Sequence, residues 1–214
     1  MRRLFLVALM MWSYVATAVL ADGEKPGAFD YYVLALSWSP NWCALEGDSR
    51  NAEQCDTRHD YGWILHGLWP QFHRGWPSYC RGHTPAPSRR MTRDMVDIMG
   101  SSGLAWHQWK KHGTCSGLTA KDYFALSRLA YNSVKRPGVF RKLSKPVALP
   151  ASVVEDAFVK ANPQLKKDMV TVTCRDRYIQ EVRICLTRDL KPAPCGRDTI
   201  QDCTLGNARF DPLR

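Results

Sequence analysis

Residues 105–115 read AWHQWKKHGTC and place two histidines and two lysines within six positions. The pattern predicts a helix that runs to His112, with Gly113 as its stop signal. At 3.6 residues per turn, His107 lies one turn before Lys111 and Gln108 one turn before His112. These four side chains share roughly 140° of one helix face, and Trp109 falls on the opposite side, where it can bury. A solvated basic face is the plain alternative. Two imidazoles beside lysines make a poor core, however, and a repelling cluster that a dianionic phosphate or a phosphorane would relieve. A metal fits less well, because lysine repels cations and the segment holds no acidic ligand.

A second histidine-bearing stretch precedes it. Gly62 to Gln71 reads GWILHGLWPQ, an apolar strand whose one titratable residue is His66. A lone strand histidine is more often a satisfied structural group than a catalyst. Here Gly67 would let a ligand or another chain approach the backbone, and Pro70 is expected to end the strand, leaving His66 near its end. Two imidazoles with ordinary pKa values near ~6.5 suit paired general acid and base work. Metal-free cleavage of RNA asks for such a pair. One group takes the proton of the 2′-OH and the other protonates the departing 5′-oxygen. A cation must stabilise the phosphoryl oxygens, and Lys111 is placed for it. Trp69 and Trp42 could stack a base.

The elements that must position these residues follow from patterning. Phe29 to Ser39 (FDYYVLALSWS) reads as a buried central strand ended by Pro40 and Asn41, with a polar loop from Trp42 to about Asp60. A Cys43–Cys55 bridge would tie that loop down locally. Residues 72–90 are loop-like, and His73 and His83 within them are expected to be exposed and inert. Met91 to Met99 predicts one short amphipathic helix, broken at Gly100 to Gly103. Thr119 and Asp122 form a capping-box pattern for a helix with Tyr123, Phe124, Leu126, Leu129, Ala130 and Val134 inward, ending near Arg136 to Gly138. A further helix is expected from Ser152 to Ala161. Met169 to Cys174 and Tyr178 to Leu186 alternate like antiparallel strands joined at Arg175 to Arg177. The Pro-, Cys- and Gly-rich tail carries little regular pattern. Strands and helices mix without βαβ alternation, which predicts an α+β single domain: a central antiparallel sheet packed by several helices and stapled by disulfides.

Arg2 and Arg3 precede an apolar run from Leu4 to Leu20, and Val19-Leu20-Ala21 suits a signal peptidase, so residues 1–21 read as a signal peptide and 22–214 as one catalytic domain. Seventeen apolar residues are short for a retained membrane anchor. All eight cysteines (Cys43, Cys55, Cys80, Cys115, Cys174, Cys185, Cys195 and Cys203) lie in the exported part, which implies disulfides in an oxidising compartment, secreted or periplasmic. No CxxC pair favours zinc, and the spacing alone leaves the pairing open. The chain carries 30 basic and 20 acidic side chains; without Arg2 and Arg3 the count is 28 against 20. That excess favours a polyanionic partner: nucleic acid, an anionic membrane surface or a polysaccharide.

WILHGLWPQ followed by HQWKKHGTC strongly resembles the two active-site segments of the ribonuclease T2 family of secreted RNases. LALSWSPNWC, WPSYC and VTC…RICL…CG…C resemble further family segments, so the likeness covers most of residues 29–203. The resemblance implies that His66 and His112 serve as acid and base, that His107 binds phosphate and that Lys111 stabilises the pentacovalent phosphate. It implies that Trp69 and Gln71 shape a base pocket. It also implies Cys80–Cys115, Cys174–Cys203 and Cys185–Cys195 bridges beside the local Cys43–Cys55. Many members have glutamate where this chain has Gln108, an amide that can donate a hydrogen bond but carries no charge.

The expected activity is therefore endonucleolytic cleavage of single-stranded RNA through a 2′,3′-cyclic phosphate to 3′-phosphate ends. Low base specificity is expected, with no metal or other cofactor, no cleavage of DNA, no stable membrane association and a monomeric state. Two alternatives stand beside it. One is a non-catalytic secreted RNA- or polyanion-binding protein on the same scaffold, with Gln108 marking decay. The other is a metallohydrolase built on His59, His66 and His73, which lacks an acidic ligand set and an HExxH pattern.

Overall fold

The computed structural model describes residues 24–214; the segment read as a signal peptide lies outside the described residues. In chain order the elements are β1 (Tyr31–Trp38), α1 (Ser39–Trp42), β2 (Trp63–Gln71), α2 (Arg89–Arg93), α3 (Val96–Met99), α4 (Ser102–Lys111), α5 (Ala120–Ser133), β3 (Val147–Leu149), α6 (Ala151–Ala161), β4 (Val170–Arg175), β5 (Tyr178–Leu186) and β6 (Ala208–Phe210). One sheet runs β2-β1-β5-β6-β3, with β4 paired to β5. The main pairings are antiparallel, with a single parallel pair where Tyr178 of β5 meets Arg209 of β6. The α+β class matches the expectation. The tail is more regular than expected, since Ala208–Phe210 pairs with Val147–Leu149, a short strand that three residues of weak alternation do not reveal.

The central strand explains the layering. Along β1, Tyr32, Leu34, Leu36 and Trp38 join the large core cluster, together with Trp109, Tyr123 and Phe124 of α4 and α5 and Val154 and Phe158 of α6. The alternate positions Val33, Ala35 and Ser37 face the other side, which the helices leave open. Trp38 stacks on Phe210 at 4.6 Å and meets Trp63 at 5.2 Å, so an aromatic cluster closes one end of the core.

Several boundaries differ from expectation for physical reasons. Pro70 does not end its strand. It pairs opposite Tyr32 inside β2, an edge position that needs no donated ladder hydrogen bond. His66 consequently lies mid-strand rather than near an end. Met91 to Met99 is two short helices, because the chain turns at Asp94 and Met95. The expected break at Gly100 to Gly103 is narrower: α4 starts at Ser102, capped by the Ser101 hydroxyl, which accepts from the Leu104 amide at 3.1 Å. The polar loop after β1 is wound into successive helical turns through Cys55. In α5 the Thr119 cap forms, its hydroxyl accepting from the Asp122 amide at 3.2 Å. Leu129 nevertheless points outward at 62 % exposure, since the buried stripe runs through Tyr123, Ser127, Ala130 and Tyr131.

Gly113 follows α4, but not as a left-handed cap. Its hydrogen leaves room for Trp109, whose ring would lie 2.4 Å from an added Cβ, and for Tyr123 at 3.0 Å. Burying Trp109 against α5 therefore requires glycine there.

Disulfides Cys43–Cys55, Cys80–Cys115, Cys174–Cys203 and Cys185–Cys195 pin the loops. Cys80–Cys115 spans 35 residues and, with the Tyr79 amide donating to the Lys111 carbonyl at 2.8 Å, anchors the C-terminal end of α4. A loop of that length corresponds to about 3–4 kcal/mol of constraint on the unfolded chain. Replacing both cysteines by serine is expected to lower the unfolding free energy by about that amount in urea titrations; a loss under 1 kcal/mol would show that packing alone holds the end of α4.

Candidate active site

The site is made possible by one extra residue. Ala35 of β1 pairs with Gly67 of β2, yet the next residue, Leu36, pairs with Leu65, which leaves His66 unpaired in a β-bulge. Before the bulge Trp63 and Leu65 face the core, and after it Leu68 does. The inserted residue thus exchanges the two faces downstream, so His66, Trp69 and Gln71 all line one cavity on the open side. In a regular strand His66 and Trp69 would point to opposite faces. β5 repeats the device: Cys174 pairs with Ile179 and Thr173 with Glu181, leaving Gln180 as the extra residue. Gln180, Glu181 and Arg183 then line the same cavity.

The cavity, of about 390 Å³, gathers His66 and Trp69 from β2 with His107, Gln108, Lys111 and His112 from α4 and its cap. His107 is exposed, Lys111 half-buried, and Gln108 and His112 are buried. Trp69 organises the centre. Its ring stacks near-parallel on His112 with centroids 5.2 Å apart and meets the His66 ring edge-on at 5.2 Å. Its indole N–H donates to Gln108 Oε1 at 2.7 Å. The Arg183 guanidinium carbon lies 5.3 Å from the ring centroid. Gly67 is required for this arrangement: an added Cβ would lie 2.2 Å from Gln108 Oε1 and 2.3 Å from Trp69 Nε1.

Trp69, expected to stack a base, is therefore engaged by His112 on its ring face and by Gln108 at its nitrogen. Trp42 is half-buried and lines an adjoining cavity with His66, His107, Gln180 and Glu181. Gln71 is buried and lines the first cavity, as do the exposed Trp76 and the buried Thr199. His59 and His73 are exposed and stack on Tyr61 and Tyr31, and His83 is exposed; none of the three lines the cavity, so His59, His66 and His73 do not form a common site.

Glu181 and Arg183 escape the sequence reading. Glu181 is 2 % exposed and accepts from His66 Nδ1 through one carboxylate oxygen. Its other oxygen accepts from Arg183 Nε at 2.9 Å. The available signal was the charged pair at alternate positions in YIQEVRICL, which marks one face of β5 as polar.

The electrostatics follow from burial and crowding. Burial lowers the His112 imidazole well below its usual pKa, and the positive charges at Lys111, His66 and His107 add to that. His107 is lowered too, first by partial desolvation, then by Lys111, His66 and Lys110. Burial by itself would raise the Glu181 carboxyl, but His66 and Arg183 outweigh it and hold the group at about 2. At neutral pH the site thus combines a carboxylate fixed between two partners with a neutral imidazole, a lysine and two further histidines.

The sequence profile of the Ribonuclease T2 family matches residues 29–195. A ribonuclease from Aeromonas hydrophila is 34 % identical over 200 residues, covering 92 % of this chain and 89 % of that protein. Ribonuclease T2 from the pig, Sus scrofa, is 25 % identical, over 76 % of this chain and 90 % of its own. Among solved structures, an RNase-related protein from Calystegia sepium superposes with a TM-score of 0.66 at 19 % identity, over 89 % of this chain and 98 % of that one. The match over most of the described residues, together with a relative aligned nearly end to end, shows that the chain belongs to the ribonuclease T2 family.

Proposed function

We propose that the chain is a metal-independent endoribonuclease that cleaves single-stranded RNA by transphosphorylation, and that His66, His107, Lys111 and His112 carry the reaction. The observation that carries this reading is their convergence, from a strand bulge and a helix end, on one cavity. His112, kept neutral by burial and by its cationic neighbours, accepts the proton of the ribose 2′-OH. The 2′-oxygen attacks phosphorus, the P–O5′ bond breaks, and His66 donates a proton to the leaving 5′-oxygen. Lys111 and His107 stabilise the charge on the non-bridging oxygens. The 2′,3′-cyclic phosphate is then hydrolysed to a 3′-phosphate with the proton roles reversed.

Side-chain cations suffice for charge stabilisation here, so no metal is required. DNA is spared because it lacks the attacking hydroxyl. Base discrimination is low, with Gln71 and Trp42 contributing contacts. The complex of a fold relative, RNase NT, with 5′-AMP supports a nucleotide ligand for this cavity. The net positive charge serves the approach of RNA. The chain acts as a monomer with no stable membrane association, in a secreted or periplasmic setting, which agrees with the eight cysteines paired in four bridges. No helix among the described residues is long and apolar enough to cross a membrane.

Gln108 does not favour a decayed, binding-only protein. Its amide is buried and accepts from Trp69, so it acts as a brace for the indole. A glutamate would accept the same bond. Gln108→Glu is therefore expected to leave turnover within roughly tenfold, about 1.4 kcal/mol in barrier, whereas His66→Ala and His112→Ala each abolish cleavage. Assays on single-stranded RNA in EDTA, with single-stranded DNA as control, check this; full turnover in either alanine variant would refute the assignment.

Protonation also sets stability. The unfolded chain binds a proton at His112 below about 6.5 while the folded chain resists it, so stability falls as pH drops below that value, by at most about 1.4 kcal/mol per unit. Glu181 acts with the same sign lower down, its contribution being lost between its ordinary 4.5 and about 2. Urea unfolding at pH 7 and pH 5 is expected to show a weaker fold at pH 5. His112→Asn should remove much of that difference, and an unchanged difference would contradict the burial argument.

A further inference from the structure

We propose that Glu181 is a positioning residue for His66: its buried carboxylate grips Nδ1 from two strands away, aims Nε2 at the cavity and neutralises the charge His66 carries there. This deepens the ribonuclease reading and rests on it for its kinetic consequences alone.

β2 and β5 are not neighbours, since β1 runs between them. Two strand spacings of about 4.8 Å separate them by about 10 Å, more than a glutamate spans by itself. The gap closes because the intervening positions of β1 on this face are small. Ala35 pairs with both Gly67 and Arg183, and Ser37 pairs with Glu181. Both bulges contribute as well, turning His66 and Glu181 onto this same side. A leucine at position 35 would fill the space the two side chains cross.

Both carboxylate oxygens are committed, Oε1 to His66 and Oε2 to Arg183 at 2.9 Å. With neither oxygen offered to substrate, Glu181 is a holder rather than a proton carrier. The surroundings make the charge matter. His107, Lys111 and His112 face His66 from α4 and its cap, and Arg183 faces it from β5. In the adjoining cavity that His66 also lines, Glu46 is held by Arg50 and Arg175. Of these groups, Glu181 alone brings a negative charge into contact with the imidazole. Without it, a protonated His66 would stand among cations, and the same crowding that adds to burial at His112 would act on His66 too. The two imidazoles would then lose the difference in charge state that acid and base require. A plain alternative role for Glu181 is to neutralise Arg183 and support the sheet.

Glu181→Gln separates the two roles, because the amide oxygen can still accept from Nδ1–H but carries no charge. Two readouts are needed. The first is a ¹⁵N NMR titration of His66 without substrate, in wild type and in E181Q. The second is kcat and KM for RNA cleavage across pH. The expected result is that His66 titrates at least one pH unit lower in E181Q, that kcat at neutral pH falls at least tenfold with KM within twofold, and that the alkaline limb of the profile moves down by the same interval. An identical His66 titration in both proteins overturns the proposal. The titration needs no activity, so a wild-type protein that cuts no RNA would sink the ribonuclease reading and leave this arm intact. Should E181Q fail to fold, Glu181→Asp replaces it: a smaller shift in the same direction supports the proposal, and no shift overturns it.

Discussion

Side chains along a β-strand alternate between faces, and a single inserted residue exchanges those faces for everything that follows. The site depends on that constraint. In β2 the insertion falls on His66, so Leu65 and Leu68 can both face the core while His66, Trp69 and Gln71 share the open side. In β5 it falls on Gln180, with Ile179 and Val182 both buried and Glu181 and Arg183 turned outward to the cavity. Without the two bulges, the strands could keep their apolar core or their polar cluster, but not both.

The second determinant is how a crowded set of cations is kept apart in protonation. Three histidines, a lysine and an arginine line a small cavity, and elementary electrostatics opposes charging them all. Burial answers this for His112, which stays neutral. The Glu181 carboxylate sets a negative charge between His66 and Arg183. Lys111 and His107 line the same cavity. Trp69 joins the two halves, stacked on one histidine, edge-on to the other and braced by Gln108. The Cys80–Cys115 bridge and the room left by Gly113 hold the end of α4 against this arrangement.

The spacing of His107, Lys111 and His112, and an isolated histidine in an apolar strand, point from residues alone to side chains that the fold brings to one cavity. The α+β class, the central strand and the Thr119 cap were readable too. What stayed hidden is what local patterns do not encode. A bulge looks like an interruption of alternation, and in GWILHGLWPQ nearly every residue is apolar, so no alternation existed to be interrupted. Pro70 reads as a strand end unless the strand is known to lie at an edge. Glu181 meets a partner 115 residues away across an intervening strand, and only the sheet order brings them together. Trp69 looked free to stack a base because its contact with His112 is tertiary.

In the reaction we propose, a neighbouring 2′-hydroxyl, activated by imidazole without a metal, is the nucleophile. A chimeric oligonucleotide with one ribonucleotide among deoxynucleotides tests it most directly, incubated in EDTA and followed by mass analysis of the ends. The expected result is a single cut, 3′ to the ribonucleotide, leaving a 2′,3′-cyclic phosphate that later becomes a 3′-phosphate. Cuts at deoxynucleotides, ends bearing a 5′-phosphate, or no cut until a divalent metal is added would contradict it.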